Sequence, residues 1–177
     1  LNQDSQADLF KHLQKLAAGS HGRDGDRRIF TAVEAKNWAG REGWSKIKKA
    51  VRQGRLPIIS ALGPNDNDEE EYRFSHMSYQ EYLTAREYSK RLTESQFHTN
   101  TALELFGDPP WNAFAEVRQQ LMLQLLAGML SEEELRTLSA VIFGGHMTID
   151  WAKNAVVRGG DSLTIVEELG RGGAEAL

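Results

Sequence analysis

The chain has 177 residues, enough for one large or two small domains, and 40% hydrophobic with 26% charged residues is ordinary for a globular protein with a core. A formal net charge of −4 gives no general attraction to nucleic acid or anionic membrane, and the absence of cysteine excludes disulfides, thiolate zinc sites and thiol catalysis. No apolar run approaches the ~20 residues that span a bilayer; the longest, Leu121 to Leu130, is interrupted by Gln124 and Gly128.

Residues Ala7 to Ala18 read as a helix, with Leu9, Phe10, Leu13, Leu16 and Ala17 at helical spacing on one face. The stretch from Gly19 to Arg28 has loop composition. Ile29 to Val33 is a short apolar segment in which Thr31 and Glu34 have the spacing of a capping box. A helix is predicted over Trp44 to Gln53, with Trp44, Ile47, Ala50 and Val51 inward and Gly54 as its stop. It carries the one basic run of the chain, Lys46, Lys48, Lys49, Arg52 and Arg55, which reads as a solvated helix face. Two strands follow, Leu56 to Leu62 and Glu71 to His76, joined by the turn-forming, acid-rich loop Gly63 to Glu70.

Ser78 and Glu81 have the S-x-x-E spacing of a helix start, with Met77 and Tyr82 placed as a hydrophobic staple, and the helix is predicted to run to about Leu92. Glu94 to Asn100 reads as loop, and Asp108-Pro109-Pro110 as a breaker. A helix over Asn112 to Leu130 and another capped by Ser131 and Glu134 come next, followed by shorter helices over Thr148 to Val157 and Ser162 to Leu169. The Arg-Gly-Gly context recurs at Arg158 and Arg171, two copies that hint at a repeat array beginning in the segment 148–177. The expected fold is mainly α: a winged-helix domain with a short β-hairpin over 1–77, a helical domain over 78–147, and a helical segment over 148–177. The start at Leu1 without an initiator methionine and the Gly-rich end predict that both ends are cuts inside a longer chain.

The segment from Tyr72 to Ala85 resembles the F-x-H-x-[ST]-[FY]-Q-E-[FY]-x-x-A signature of NACHT-domain proteins, the STAND class of signalling ATPases, through Phe74, His76, Ser78, Tyr79, Gln80, Glu81, Tyr82 and Ala85. Leu13-Gln14-Lys15-Leu16-Ala17 is similar to the L-x-x-L-A helix that precedes the signature, and the likeness extends over residues 7 to 130. The resemblance implies a winged helix that packs against an adjoining nucleotide-binding domain and helps to hold its ADP-bound, inactive state. It also implies that His76 is the cofactor-binding residue, reaching the β-phosphate, and that exchange of ADP for ATP releases the module for oligomerisation with other protein subunits. An imidazole beside a phosphate is favoured in its protonated, donating form. The pattern alone reads differently. Strand alternation puts His76 on the face of Tyr72 and Phe74, as a core-facing histidine that ties the wing to the next helix. Tyr79, Tyr82 and Leu83 read as core, and Gln80 and Glu81 as helix-start residues.

No P-loop of the form G-x-x-x-x-G-K-[ST] is present; Gly40 to Lys46 has glycines and a lysine at the wrong spacing. No catalytic residue, metal ligand or resident cofactor is therefore expected in this chain, and it is not read as an enzyme. ADP or ATP belongs to the adjoining domain, nucleic acid is not expected as a partner, no membrane span is expected, and the expected compartment is the cytoplasm. A competing reading is a non-catalytic structural or scaffold subunit packed in a larger assembly.

Overall fold

The computed structural model describes residues 3–22, 28–107, 110, 113, 116 and 119–143. The fold is mainly α with one small antiparallel sheet. The helices expected over 148–157 and 162–169, and most of the stretch 112–118, lie outside the described residues. Two compact units divide the chain, Leu1–Glu87 and Tyr88–Leu177.

The first unit opens with α1 (Gln3–His21), longer than the predicted Ala7 to Ala18. The short apolar segment is a strand, β1 (Ile29–Thr31), and α2 (Ala32–Arg52) follows without a linking residue. Thr31 is both the last residue of β1 and the cap of α2. Its hydroxyl accepts from the Glu34 N–H at 3.2 Å, and the Glu34 carboxylate accepts from the Thr31 N–H at 2.8 Å. Two helix-start donors are thereby satisfied.

Helix α2 is broken at Gly40, which has φ 77° and ψ 158°. That backbone is open to glycine and strongly disfavoured for residues with a Cβ. The break makes two helices of one, residues 32–39 and 41–52, in the helix-turn-helix order of a winged helix. It also strands the Ala39 carbonyl, and the His12 ring of α1 supplies a partner, Nδ1 standing 3.2 Å from that oxygen. Helix α2 closes as predicted at Gly54 (φ 65°). The Arg55 N–H donates to the Ala50 carbonyl and the Gly54 N–H to the Val51 carbonyl, which is the Schellman pairing.

Strands β2 (Ile59–Pro64) and β3 (Glu70–Phe74) form the expected hairpin, and β1 joins β3 on its other side, giving the order β1-β3-β2. Helix, strand, two helices, then a hairpin whose second strand lies central is winged-helix topology. The register slips between Ala61 and Gly63, leaving Leu62 bulged and exposed. In the wing turn, the Asn65 side-chain oxygen accepts from the Asn67 and Glu69 N–H groups.

The core centres on Phe30, which is fully buried. Its ring lies 5.6 Å from Phe74, 6.0 Å from Trp44 and 6.1 Å from Tyr72, and Trp44 meets Tyr72 edge to face at 4.7 Å. Edge and tilted geometries of this kind add to burial. Helices α1 and α2 lock through reciprocal notches: the Trp38 indole fills the space over Gly19, and the His12 ring fills the space over Gly43.

The wing is clamped to α2 by a single carboxylate. Glu70 accepts from Lys48 Nζ, from Arg52 Nη2 at 3.1 Å and from the Tyr72 hydroxyl at 3.2 Å. The Lys48 hydrogen bond, followed by burial acting in the opposite sense, leaves the Glu70 carboxyl below its usual value of 4.5. A carboxyl depressed by folding stabilises the folded state above its unfolded pKa and loses that contribution as pH falls through its folded pKa. Amide exchange in β2 and β3 is therefore expected to quicken as pH drops below about 4.5, the usual value for the group, once the intrinsic pH dependence of exchange is divided out. In Glu70→Gln that acid-dependent component disappears. An identical acid response in the variant would assign the effect to other carboxylates.

In the second unit, α3 (Met77–Glu94), which began in the first, leads to α4 (Thr99–Phe106), α5 (Gln120–Met129) and α6 (Glu132–Phe143). Helix α4 overlaps the expected loop Glu94 to Asn100 at Thr99 and Asn100 and ends before the breaker at Asp108; no helix is expected there from the sequence. Its cap is His98, whose ring nitrogen accepts from the Asn100 N–H at 3.2 Å, an unusual capping residue. Gln96 and Phe97 precede it with φ of 52° and 57°, and the Phe97 side chain is buried. Ser131 caps α6 as predicted, with the Glu134 carboxylate accepting from its N–H at 2.8 Å. Tyr88 meets Phe106 edge to face at 5.7 Å, and α4 packs against α6.

Candidate functional site

Strand β3 ends at Phe74 and α3 begins at Met77, so only Ser75 and His76 join them. Ser75 is fixed on both sides: its N–H donates to the Ile58 carbonyl at 2.9 Å and its hydroxyl to the Pro57 carbonyl at 2.7 Å. The Ser60 hydroxyl lies 3.5 Å from that of Ser75. His76 is exposed, whereas Tyr72 and Phe74 are buried. The core-facing alternative for His76 is thus overturned. The strand has ended, and the bend at Ser75 breaks the alternation that would have turned the ring inward.

The imidazole of His76 meets the Tyr79 ring edge to face, with centroids 5.6 Å apart and an interplanar angle of 74°. Helical pitch makes this contact, since residues three apart lie on the same side of the helix. The ring is steadied by the first turn of the helix that follows it and left open to solvent. It stands at the N-terminal end of an 18-residue helix, where unpaired N–H groups and the helix dipole favour negative charge.

Tyr79 and Tyr82 were expected in the core, but they are 46% and 41% exposed. Helical spacing explains it: Gln80, Glu81, Leu83, Thr84, Ala85 and Glu87 occupy the buried arc of α3, and residues 79, 82 and 86 fall on the opposite one. Ser78 was expected to cap α3 with Met77 outside the helix. Instead Met77 is the first helical residue, 42% exposed, so Ser78 lies within the first turn and Met77 does not take the staple position.

The signature thus divides by exposure. His76, Ser78, Tyr79 and Tyr82 face out, whereas Phe74, Gln80, Glu81, Leu83 and Ala85 face in. Gln80 is fully buried and donates from Nε2 to the Ser20 hydroxyl at 2.8 Å, and Ser20 donates in turn to the Ala17 carbonyl at 3.0 Å. This chain of bonds ties the start of α3 to the end of α1. Ser20 is part of the support beneath His76, and sixty positions of separation left no local signal for the pairing.

Within the basic run, Lys46 pairs with Asp8 and Glu42, both at 2.6 Å, and Lys48 and Arg52 pair with Glu70. The cations of the helix that would enter a DNA groove in a DNA-binding winged helix are therefore largely matched by acids of the same unit. Among the described residues no group of three His, Cys, Asp or Glu side chains is placed to hold a metal ion, and no helix is long and apolar enough to cross a membrane. No family profile, curated protein or solved structure matches the chain.

Proposed function

We propose that this chain is the regulatory winged-helix module of a NACHT-type signalling ATPase, presenting His76 to the β-phosphate of ADP held by an adjoining nucleotide-binding domain. The observation that carries this reading is the exposed imidazole, seated on Tyr79 at a two-residue junction between the hairpin and the start of α3. The N–H groups at that helix start and a ring able to donate favour an anion from the same side. The module performs no chemistry; it holds or releases nucleotide bound elsewhere, and other protein subunits join once it is released. The fixed Ser75 and the buried Gln80–Ser20 bond supply the stiffness such a contact needs.

The test is nucleotide retention in a chain carrying this module together with its nucleotide-binding domain. His76→Leu is expected to weaken ADP retention about tenfold or more, the worth of a hydrogen bond to a charged group. The variant is expected to activate at a lower stimulus. Nucleotide content after gel filtration, read by chromatography of the released ADP, measures it. Unchanged ADP content together with an unchanged activation threshold would sink the reading. Recovery of the module in an assembly that contains no nucleotide-binding domain would select the scaffold role instead.

A further inference from the structure

The basic run of α2 is partitioned by the structure. Lys46, Lys48 and Arg52 are held by Asp8, Glu42 and Glu70. Lys49 and Arg55 have no carboxylate within ion-pair distance among the described residues, and both line one cleft between the N-terminal part of α1 and the C-terminal end of α2. Of the five cations of the basic run, three are matched, and the other two face the same space.

The cleft has a volume of about 320 Å³. Leu9 and Ala50 form its apolar part. Its charged lining is three cations, Lys46, Lys49 and Arg55, against one acid, Asp8, in a chain whose net charge is −4. The Gln53 side chain also lines it and accepts from the Arg55 guanidinium, which holds that fork in place. The carbonyls of Lys49, Ala50 and Val51 are already bonded to the N–H groups of residues 53, 55 and 54, so these three are not bare acceptors toward an incoming anion.

We infer that this cleft is a docking site for an acidic peptide segment of a partner protein, one that offers carboxylates to Lys49 and Arg55 and an apolar side chain to Leu9 and Ala50. Charge complementarity selects the carboxylates, and the mixed lining selects a peptide over a bare anion. The site involves neither His76 nor any residue placed beside it, so it stands or falls independently of the nucleotide reading.

The test is fluorescence anisotropy of the chain with a fluorescein-labelled peptide of alternating leucine and glutamate residues. Binding is expected at low ionic strength and is expected to weaken as salt shortens the screening length from about 30 Å toward 8 Å. The double reversal Lys49→Glu with Arg55→Glu is expected to weaken it about tenfold or more, whereas Lys49→Arg preserves it and Arg41→Glu, on the same helical half but outside the cleft lining, leaves it within about twofold. No binding at low salt, or equal loss with Arg41→Glu, would overturn the proposal. Competition by inorganic pyrophosphate as effective as by unlabelled peptide would assign the cleft to phosphate instead. Concentration-dependent self-association abolished by Lys49→Glu would assign it to the acidic wing of a second copy.

Discussion

Phe30→Ala is expected to destabilise the first unit by about 3–5 kcal/mol, the range for removing a fully buried phenyl ring. Phe30 belongs to the three-residue strand β1, yet its ring touches Trp38, Trp44, Tyr72 and Phe74, which come from α2 and β3. Truncation therefore opens a cavity walled by aromatic rings, which have few rotamers with which to close it. Against a total stability of about 5–15 kcal/mol, typical of a domain, the loss removes much of the margin. Phe30→Leu keeps most of the volume and is expected to cost less than half as much. Urea unfolding followed by tryptophan fluorescence measures both. A loss below about 1 kcal/mol for the alanine variant would mean that the aromatic cluster is not the centre of the fold.

Gly43→Ala is expected to reverse the usual sign of its substitution. In a helix interior, replacing glycine by alanine ordinarily stabilises by about 0.5–1 kcal/mol. Here the added Cβ would stand 2.2 Å from His12 Nδ1 and 2.5 Å from Cγ of the same ring. The ring must leave its notch, and the Ala39 carbonyl at the helix break then loses its partner. Overpacking of this kind costs about 1–3 kcal/mol, which outweighs the gain in helix propensity. The double variant His12→Ala with Gly43→Ala separates the effects: removing the ring relieves the clash, so the two changes together are expected to cost less than their sum. Strict additivity would show that the ring and the notch are not coupled.

Much of the local chemistry, in which a backbone group and its partner lie within a few residues, was legible, the expected Ser78–Glu81 cap being the exception. The Thr31–Glu34 box, the stop at Gly54, the hairpin and the Ser131–Glu134 cap all belong to that class. The junction near His76 was legible too, but not the outward direction of its ring, because the strand was expected to run through His76 and ends instead at Phe74. What escaped was set by distance or by unusual partners. Ser20 and Gln80 meet across sixty positions. Helix α4 is capped by a histidine, and β1 is three residues long, which is too short to show a period. The exposure of Tyr79 and Tyr82 was misjudged for a different reason. Aromatic residues bias a reading toward the core, whereas their angular positions on α3, opposite Gln80 and Thr84, point outward.

The lengths of the joints have a mechanical consequence. Because Thr31 ends a strand and caps a helix at once, β1 and α2 are joined without slack, and a displacement of one carries the other with it. The two residues between β3 and α3 are nearly as short, and one of them is pinned at both its amide and its hydroxyl. A pull on the His76 ring therefore has little give to absorb it locally and is delivered as a tilt of the first turns of α3, which act as a stiff crank rather than a tether.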